Sequence, residues 1–492
     1  MISKKLVKSS LVYSVIGALP LAWSIILLPF YTTLLTPDDF GRLALYASLA
    51  LLLQTLMNLS LDSYVAVQYI ELRNDPRSLR ACLGTVTVTL LLWGGVFTGL
   101  FVIGGPGLFT LFFPEASLLF LPYGLMTVVT AFCNGFFKTY TVLLIYQERV
   151  TQFFWMNVLN FMLTILISIT GLYLFPYTLI GPMWGRLLSG LCIFLAAFFF
   201  MVREFGLTFY TDYLKGMAQY CWPLIIYFGL FWILNNLDRF IINHYLTPED
   251  VAIYDIAVKC TLLLEFLQIG LSNTIYPKVF ALWQDAKNTS HSEQVNQYFH
   301  VISAITLLAI PLFVLLVPVF VPILVPNAVY YQAFDYLLLL GLGYAMRSLY
   351  FFYLGAFSFF KKTRQLLKPT FLSVVFQVTL SIILVKQWNL IGAVWANLLA
   401  KIVQVGFLSL WGKTLPPGRL NKMKMVVLPL AYVLTAILLH TWLPAGRWHS
   451  HLLLWMVLSL MVVRVYRREI GPLLTDLSQK SLQRIKALRQ GH

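Results

Sequence analysis

Residues 11–35 read LVYSVIGALPLAWSIILLPFYTTLL, and the polar turn TPDDFG follows at 36–41. The first stretch is long and apolar enough for an α-helix to cross a bilayer core of about 30 Å. Runs of similar length and character recur to the end of the chain, joined by short connections. We therefore predict an all-α polytopic membrane protein with about 14 transmembrane helices.

Composition supports the same fold class. Of the 492 residues, 59% are hydrophobic and 11% are charged, and the mean hydropathy is +0.79. An average soluble domain carries about 25% charged residues. Because a soluble core of this size cannot cover so much apolar surface, a soluble fold is excluded.

The formal net charge of +16 follows the predicted topology. Most lysines and arginines, including Lys138, are assigned to the side of the membrane that holds the N-terminus. The opposite side receives Arg42, Lys386 and Arg447. Positive residues concentrate in cytoplasmic loops. We therefore predict that both termini are cytoplasmic, and that the excess charge does not indicate a nucleic-acid partner.

An internal repeat divides the chain. LTPDD at 35–39 reappears as LTPED at 246–250, and LIG at 179–181 reappears at 390–392, each followed three residues later by Trp. Both pairs are separated by 211 residues. Since six crossings return the chain to its starting side, we predict two parallel six-helix repeats with a site between the halves, as in many transporters.

The repeat sets the predicted domain boundaries. An N-terminal six-helix bundle covers 1–206, a second bundle covers 207–416, and two additional helices with a basic cytoplasmic tail cover 417–492. Thr and Pro of the repeated turn are expected to cap and begin the next helix. Gly of the LIG segment is expected to permit close helix approach.

The sequence contains no motif of ATP-dependent or metal-dependent chemistry: no P-loop, no metal-type His spacing and no Gly-x-Ser-x-Gly. The five cysteines are scattered through apolar segments, so we predict unpaired core residues rather than disulfides or metal ligands. We predict a protein that is not an enzyme and that uses no cofactor and no metal.

Charged residues inside the apolar runs define the candidate site. A charge at mid-span costs about 2.5–3.5 kcal/mol on insertion scales, so each is a functional hypothesis. The candidate substrate-binding cations are Arg186, Arg239, Lys259, Arg347 and Lys401, and the supporting polar or ion-pairing residues are Asn235, Asp238, Asp255 and Glu265. The excess of cations predicts an anionic passenger such as a phosphate, for which Arg is a bidentate ligand.

One pairing can be predicted from depth. Asp238 and Arg239 lie about eight residues before the turn near Pro248, and Lys259 lies a similar distance beyond it, or roughly 12 Å at 1.5 Å per residue. We therefore predict an Asp238–Lys259 pair that leaves Arg239 free. A buried ion-pair network that only orients the helices remains the alternative.

The chain resembles a known family at its most specific motifs. Lys4-Lys5 and Ser9-Ser10 before the first span, the LLTPDDFG turn at 34–41 and its second copy resemble the polysaccharide-transport branch of the multidrug/oligosaccharidyl-lipid/polysaccharide exporter superfamily, the O-antigen flippase type. The second copy departs from the pattern, with Val251-Ala252 in place of Phe-Gly. The resemblance implies two six-helix bundles forming a V-shaped transporter, with two extra helices.

The resemblance also implies a function. Members of this branch move undecaprenyl-pyrophosphate-linked oligosaccharide across the bacterial inner membrane by alternating access, for surface polysaccharide biosynthesis. The implied partners are this lipid-linked oligosaccharide, membrane lipids, and a polysaccharide polymerase with its chain-length machinery. Two alternatives stay open: a cation-coupled multidrug exporter of the same superfamily, and a membrane glycan polymerase or ligase.

Overall fold

The computed structural model describes residues 19–113, 118–284, 290–360, 362–412, 420–442 and 448–469. Regular structure in these ranges is helical, which confirms the predicted all-α fold. The Lys4-Lys5 and Ser9-Ser10 motif and most of the basic tail lie outside the described residues.

The α-helices of the described ranges are numbered in chain order. They are α1 (Leu19–Ile26), α2 (Leu28–Leu34), α3 (Pro37–Asn58), α4 (Leu61–Leu72), α5 (Pro76–Phe112), α6 (Leu125–Tyr146), α7 (Val150–Leu174), α8 (Ile180–Phe205), α9 (Thr211–Tyr245), α10 (Pro248–Gln284), α11 (Ser290–Leu324), α12 (Leu337–Leu342), α13 (Arg347–Phe359), α14 (Leu367–Gly412), α15 (Leu428–Trp442) and α16 (Trp448–Val465).

The predicted spans coincide with these helices or with broken pairs of them. Helices α3 and α4 form one such broken pair, and the break lies at Leu59 and Ser60, whose backbones are both left-handed. The helical stretch Ala328–Leu342, which ends with α12, and helix α13 form a pair bent by 50°. In contrast, α14 contains two spans separated by a kink at Asn389. Within the described ranges, nine helices are long and apolar enough to cross a membrane, or ten if the bent pair is one span.

Both copies of the repeated turn cap the helix that follows. The Thr36 hydroxyl accepts a hydrogen bond from the backbone N–H of Asp39 at 3.1 Å, and the Thr247 hydroxyl accepts one from Asp250 at 3.2 Å. Pro37 begins α3, where a missing backbone N–H costs nothing. The predicted capping role is confirmed.

Glycines of the LIG segments lie at close helix approaches, as predicted. A Cβ added at Gly181 would lie 2.5 Å from the backbone of Gly171, and one added at Gly392 would lie 2.0 Å from the carbonyl oxygen of Leu384. Any larger residue would push the paired helices apart. The two repeats therefore use the same glycine for the same packing purpose.

The two copies of the turn also pack against each other. A Cβ added at Gly41 would lie 1.7 Å from the carbonyl oxygen of Pro248, the first residue of α10. The neighbouring Phe40 ring is buried and meets Tyr330 edge to face at 5.8 Å. Only the first copy needs this glycine, which explains why the second copy can carry Val251-Ala252 instead.

Gly41→Ala is therefore expected to destabilise the fold. Neither backbone can yield without displacing its helix, and overpacking of this kind typically costs about 1–3 kcal/mol. Thermal unfolding of the purified protein measures the loss. Gly95→Ala on α5 is the matched control, because no atom lies within 4 Å of its added Cβ and Ala favours a helix over Gly by about 1 kcal/mol. Equal midpoints for the two variants would contradict the packing described here.

The described residues fall into two compact units. The first unit comprises the chain up to Asp255 together with Leu324–Tyr330, and the second comprises Ile256–Ile323 and the chain from Tyr331 onward. The domain boundaries predicted at 206 and 416 follow the sequence repeat and differ from the bounds of these two units, and they stay a prediction. Four cysteines are buried as expected, whereas Cys192 is exposed, so the prediction of a core position is wrong for that residue.

An ion pair anchors the segment after α16 in the second unit. The Glu469 carboxylate accepts from Lys424 Nζ at 2.5 Å and lies 3.2 Å from His300 Nδ1. Burial opposes ionisation of Glu469, but the hydrogen bond and charge of Lys424 outweigh it and lower the pKa of the carboxyl. This ion pair therefore joins the segment after α16 to Lys424, which lies just before α15.

Candidate functional site

In the first unit, Arg239 is the centre of a buried ion-pair network. Its Nε donates to Asp255 Oδ1 at 2.9 Å, and its guanidinium lies 3.6 Å from Asp238 Oδ1. The Tyr254 hydroxyl donates to the other Asp238 oxygen. Arg239 is 7% exposed and Asp255 4%. The hairpin of α9 and α10 therefore holds its guanidinium between two carboxylates.

The prediction that Arg239 is free is wrong. The hairpin turns about Leu246 and Thr247, so position 239 on α9 is level with position 255 on α10 rather than with 259. A buried guanidinium is strongly destabilising without a carboxylate, and Asp255 supplies it. The pairing of Lys259 with Asp238 stays a prediction.

Asn235 supports this network through its backbone. Its carbonyl oxygen accepts a hydrogen bond from the Arg239 guanidinium at 3.0 Å. Its side-chain amide is exposed and donates to the carbonyl of Phe231 at 2.7 Å. The side chain of Asn235 is thus turned away from the ion pairs, although the residue lies one helical turn from Arg239 as predicted.

Arg186, on α8, joins the first unit's charges from a different helix. Its guanidinium lies 5.1 Å from the Trp23 ring centre and interacts electrostatically with Tyr31 and Asp255. Asp255 therefore lies in the field of two arginines. The interior charges of this network are two arginines against Asp238 and Asp255, which balance.

In the second unit, Arg347 and Glu265 form the candidate site. Arg347 begins α13, directly after the bend, and its NH2 donates to Glu265 Oε1 at 2.7 Å. The side chains are 20% and 25% exposed, so this pair is accessible where the Arg239 pair is not. Gly341 and Gly343 interrupt the apolar run just before the bend, a pattern that marks binding sites in transporters.

Lys401 and Arg347 converge on one aromatic ring. Lys401 Nζ lies 4.2 Å from the Tyr344 ring centre, and the Arg347 guanidinium lies 5.1 Å from the same centre. A Cβ at Gly343 would lie 2.7 Å from Lys401 Cδ, so only glycine leaves room for this lysine stem. The Tyr344 hydroxyl lies 3.4 Å from Thr261 Oγ1. Both cations therefore lie near the same tyrosine ring.

The cationic excess predicted from the sequence belongs to the second unit. Half-buried Lys259, on α10, belongs to the same unit as Arg347, Lys401 and Glu265, so the predicted residues of this unit comprise three cations and one acid. The predicted site residues thus fall into a balanced group in the first unit and a positively charged group in the second. Among the described residues, no three His, Cys, Asp or Glu side chains are placed to hold a metal ion.

One ion pair of the first unit, between exposed Lys138 and buried Asp62, is not predicted from the sequence. Lys138 Nζ lies 3.1 Å from Asp62 Oδ2, and the lysine lies on α6 about eight residues before that helix ends. Lys138 therefore lies inside a helix that continues to Tyr146, and its assignment to the cytoplasmic side stays a prediction. The buried aromatic residues Phe136, Phe137 and Tyr140 lie on both sides of Lys138 in the sequence and indicate that this lysine is part of the span.

Charged side chains inside broken apolar helices define the class of protein. It is a polytopic helical membrane protein with the kind of architecture that transporters have. The chain belongs to the family described as polysaccharide biosynthesis protein, whose model matches residues 32–331. The family resemblance inferred from the motifs is thereby confirmed. No curated protein sequence matches the chain.

Solved structures share this fold. Lipid II flippase MurJ in an inward closed conformation is similar with a TM-score of 0.72 and 14% sequence identity, covering 94% of this chain and 100% of that chain. An inward-facing multidrug resistance MATE family transporter of the MOP superfamily gives 0.67 and 18%, covering 81% and 96%. A MATE structure in the straight conformation gives 0.54 and 17%, covering 83% and 95%. At these identities the similarity shows the fold.

Proposed function

We propose that this protein is a flippase that moves polyprenyl-pyrophosphate-linked oligosaccharide, of the undecaprenyl type, across the bacterial inner membrane by alternating access. The product serves surface polysaccharide biosynthesis, and both termini are cytoplasmic. Membership of the polysaccharide biosynthesis family supports the substrate class. The fold shared with a lipid II flippase supports the mode of transport.

The convergence of Arg347 and Lys401 on Tyr344 carries this proposal. A pyrophosphate offers several anionic oxygens, and a planar guanidinium beside an ammonium suits them. Arg347 is paired with Glu265, and the predicted site residues of the second unit comprise three cations and one acid, a balance that favours an anionic ligand. Because Arg347 is partly exposed, the ligand can reach it without unfolding the helix pair.

The other candidate cations receive different roles in this proposal. Arg239 is fully engaged by two carboxylates and positions α9 against α10. Lys259 joins Arg347 and Lys401 in attracting the anionic headgroup. The polymerase and chain-length machinery would act on the product after it reaches the outer leaflet.

The multidrug exporter is the second candidate, favoured by the fold shared with MATE transporters. Cationic drugs are best complemented by an acidic interior. The second unit has the opposite balance, with three cations and Glu265 in its candidate group. This charge balance favours an anionic passenger.

Reconstitution distinguishes the two candidates. Vesicles containing the protein receive a fluorescent polyprenyl-pyrophosphate disaccharide, and an impermeant quencher reports how much reaches the opposite leaflet. We expect leaflet exchange of this lipid and no accumulation of ethidium, a cationic drug, under proton or sodium gradients. Ethidium transport without exchange of the lipid would instead identify a drug exporter.

A further inference from the structure

A fully buried glutamine lies against the break between α12 and α13. Gln268 is on α10, and its Nε2 donates to the backbone carbonyl of Tyr344 at 3.0 Å and to the hydroxyl of Thr306, on α11, at 3.2 Å. Tyr344 follows the end of α12, at a point where backbone hydrogen bonds span three residues instead of four. The amide therefore joins α10 and α11 to the backbone of the bend.

The orientation of this amide is fixed by its partners. A backbone carbonyl oxygen only accepts hydrogen bonds, so the amide nitrogen of Gln268 must face Tyr344. The Oε1 atom of Gln268 is then buried without a hydrogen-bond partner among the described residues. A buried acceptor in this state is unfavourable, and an apolar side chain would avoid it. What Gln268 contributes at the bend is therefore the pair of hydrogen bonds that it donates.

Other side chains on the same face of α10 contact the same segment. The Thr261 hydroxyl lies 3.4 Å from the Tyr344 hydroxyl, and Glu265 accepts a hydrogen bond from Arg347 at 2.7 Å. Residues spaced by three and four positions lie on one side of a helix, as Thr261, Glu265 and Gln268 do. Of these three residues, Gln268 binds the backbone of the bend, whereas the other two bind side chains.

The first unit contains an equivalent bond. Asn58, the last residue of α3, is 2% exposed, and its Nδ2 donates to the carbonyl of Gly135 on α6 at 2.8 Å. The 211-residue offset of the repeat places Asn58 one position from Gln268 and Gly135 two positions from Tyr344. The break follows Asn58 in the first unit and lies at Tyr344 in the second. In both units a buried amide thus holds a broken span against its intact neighbour.

The bond to Tyr344 acts on the candidate anion site through the backbone. The Tyr344 ring lies near both Lys401 and the Arg347 guanidinium, and Arg347 begins α13 directly after the bend. A backbone shift at Tyr344 would move the ring and the guanidinium together relative to Lys401, which is on α14. Gln268 is fully buried, so it influences a ligand through these groups rather than by contact.

We propose that Gln268 is a positioning residue of the anion site: its amide holds the bend between α12 and α13 and thereby sets where the Tyr344 ring and the Arg347 guanidinium lie. The identity of the ligand rests on the proposed function, whereas the role of Gln268 at the bend does not.

Gln268→Met tests this role, because methionine has a similar length and no donor. We expect the half-saturating concentration of the fluorescent polyprenyl-pyrophosphate disaccharide to rise about tenfold, as for the loss of one hydrogen bond. The maximal exchange rate per folded protein should change much less, since every charged group of the site is still present.

Spin labels measure the bend itself. They are attached through Gln332→Cys and Ser358→Cys, two exposed positions of the second unit on either side of the bend, in a protein whose native cysteines are replaced. We expect Gln268→Met to broaden the distribution of label distances and to shift it to longer values, since a straighter helix pair is longer. Asn58→Leu removes the equivalent bond of the first unit and is the matched control, which should leave this distance unchanged.

Gln268→Glu separates loss of the donor from a packing defect. A protonated carboxyl group has one O–H donor that can replace the amide, whereas an ionised carboxylate has none. Relative to the wild type at the same pH, the half-saturating concentration for Gln268→Glu should be near normal at acidic pH and as high as for Gln268→Met at alkaline pH.

Two results would overturn the proposal: an unchanged label distance in Gln268→Met, or a changed distance with an unchanged half-saturating concentration. If the wild-type protein exchanges no lipid, the proposed function fails, and the label distance still decides whether Gln268 holds the bend.

Discussion

Arg347→Gln combined with Lys401→Gln is expected to lower the rate of lipid-linked oligosaccharide exchange per folded protein at least a hundredfold. Loss of a charge-assisted contact costs about 1.5–3 kcal/mol, so each single change should lower the rate about tenfold to hundredfold. Arg347→Lys should retain more activity than Arg347→Gln, because it keeps the charge and loses only the planar fork. The rate of lipid exchange per folded protein is the measurement.

Two further variants separate transport from folding. Arg347→Gln leaves Glu265 without its ion-pair partner, and Arg347→Gln with Glu265→Gln removes that problem. We expect the combined change to restore the amount of folded protein but not transport. Arg203→Gln, an exposed cation on α8, is the control and should transport at the normal rate. Normal transport by the Arg347 and Lys401 double variant would show that these cations are structural.

Arg239→Gln is expected to have the largest effect on stability. It would leave Asp255 buried without the bond that Arg239 provides, and breaking a buried ion pair in this way costs about 3–5 kcal/mol. The amount of monodisperse protein and its unfolding midpoint should both fall. Arg239→Gln with Asp255→Asn should recover much of the loss, since neither charge then remains without the other.

A more accessible ion pair, in the repeated turn, provides the comparison. Arg42 and Asp39 are 3.2 Å apart on the first turns of α3, and the Arg42 side chain is 38% exposed. Surface pairs contribute about 0–1 kcal/mol, so Arg42→Gln should leave the midpoint nearly unchanged. If Arg239→Gln were equally mild, or if the double variant were only the sum of its singles, the coupling to Asp255 would be absent.

The interior charges show how far sequence reasoning reached. The depth of a residue within a span can be estimated from the sequence, because each helical residue advances about 1.5 Å, and this places Arg239 inside the first helix of a hairpin. The ion-pair partner of Arg239 cannot be predicted in this way. A shift of the turn by one residue moves the opposite position by two, and the side chain's direction around the helix then selects Asp255.

Lys138 illustrates a second limit. The sequence shows that Lys138 lies in an apolar run, about eight residues before the helix ends, but it does not show which residue the lysine contacts. Asp62, its partner, lies beside a helix break that no proline announces, since Leu59 and Ser60 adopt left-handed conformations. Tyr344 is not predicted as a site residue, because nothing in the sequence shows that Arg347 and Lys401 both lie near its ring.

From the amino-acid sequence alone one can predict a helical membrane protein with an internal duplication, and one can identify the turns and glycines that the two copies share. These follow from hydropathy, periodicity and local capping, which act over a few residues. The tertiary structure, in contrast, shows which of these charges form ion pairs and that Gly41 lies against Pro248. Such contacts join residues far apart in the chain, and helix register and rotation, which set them, leave no trace in composition or spacing.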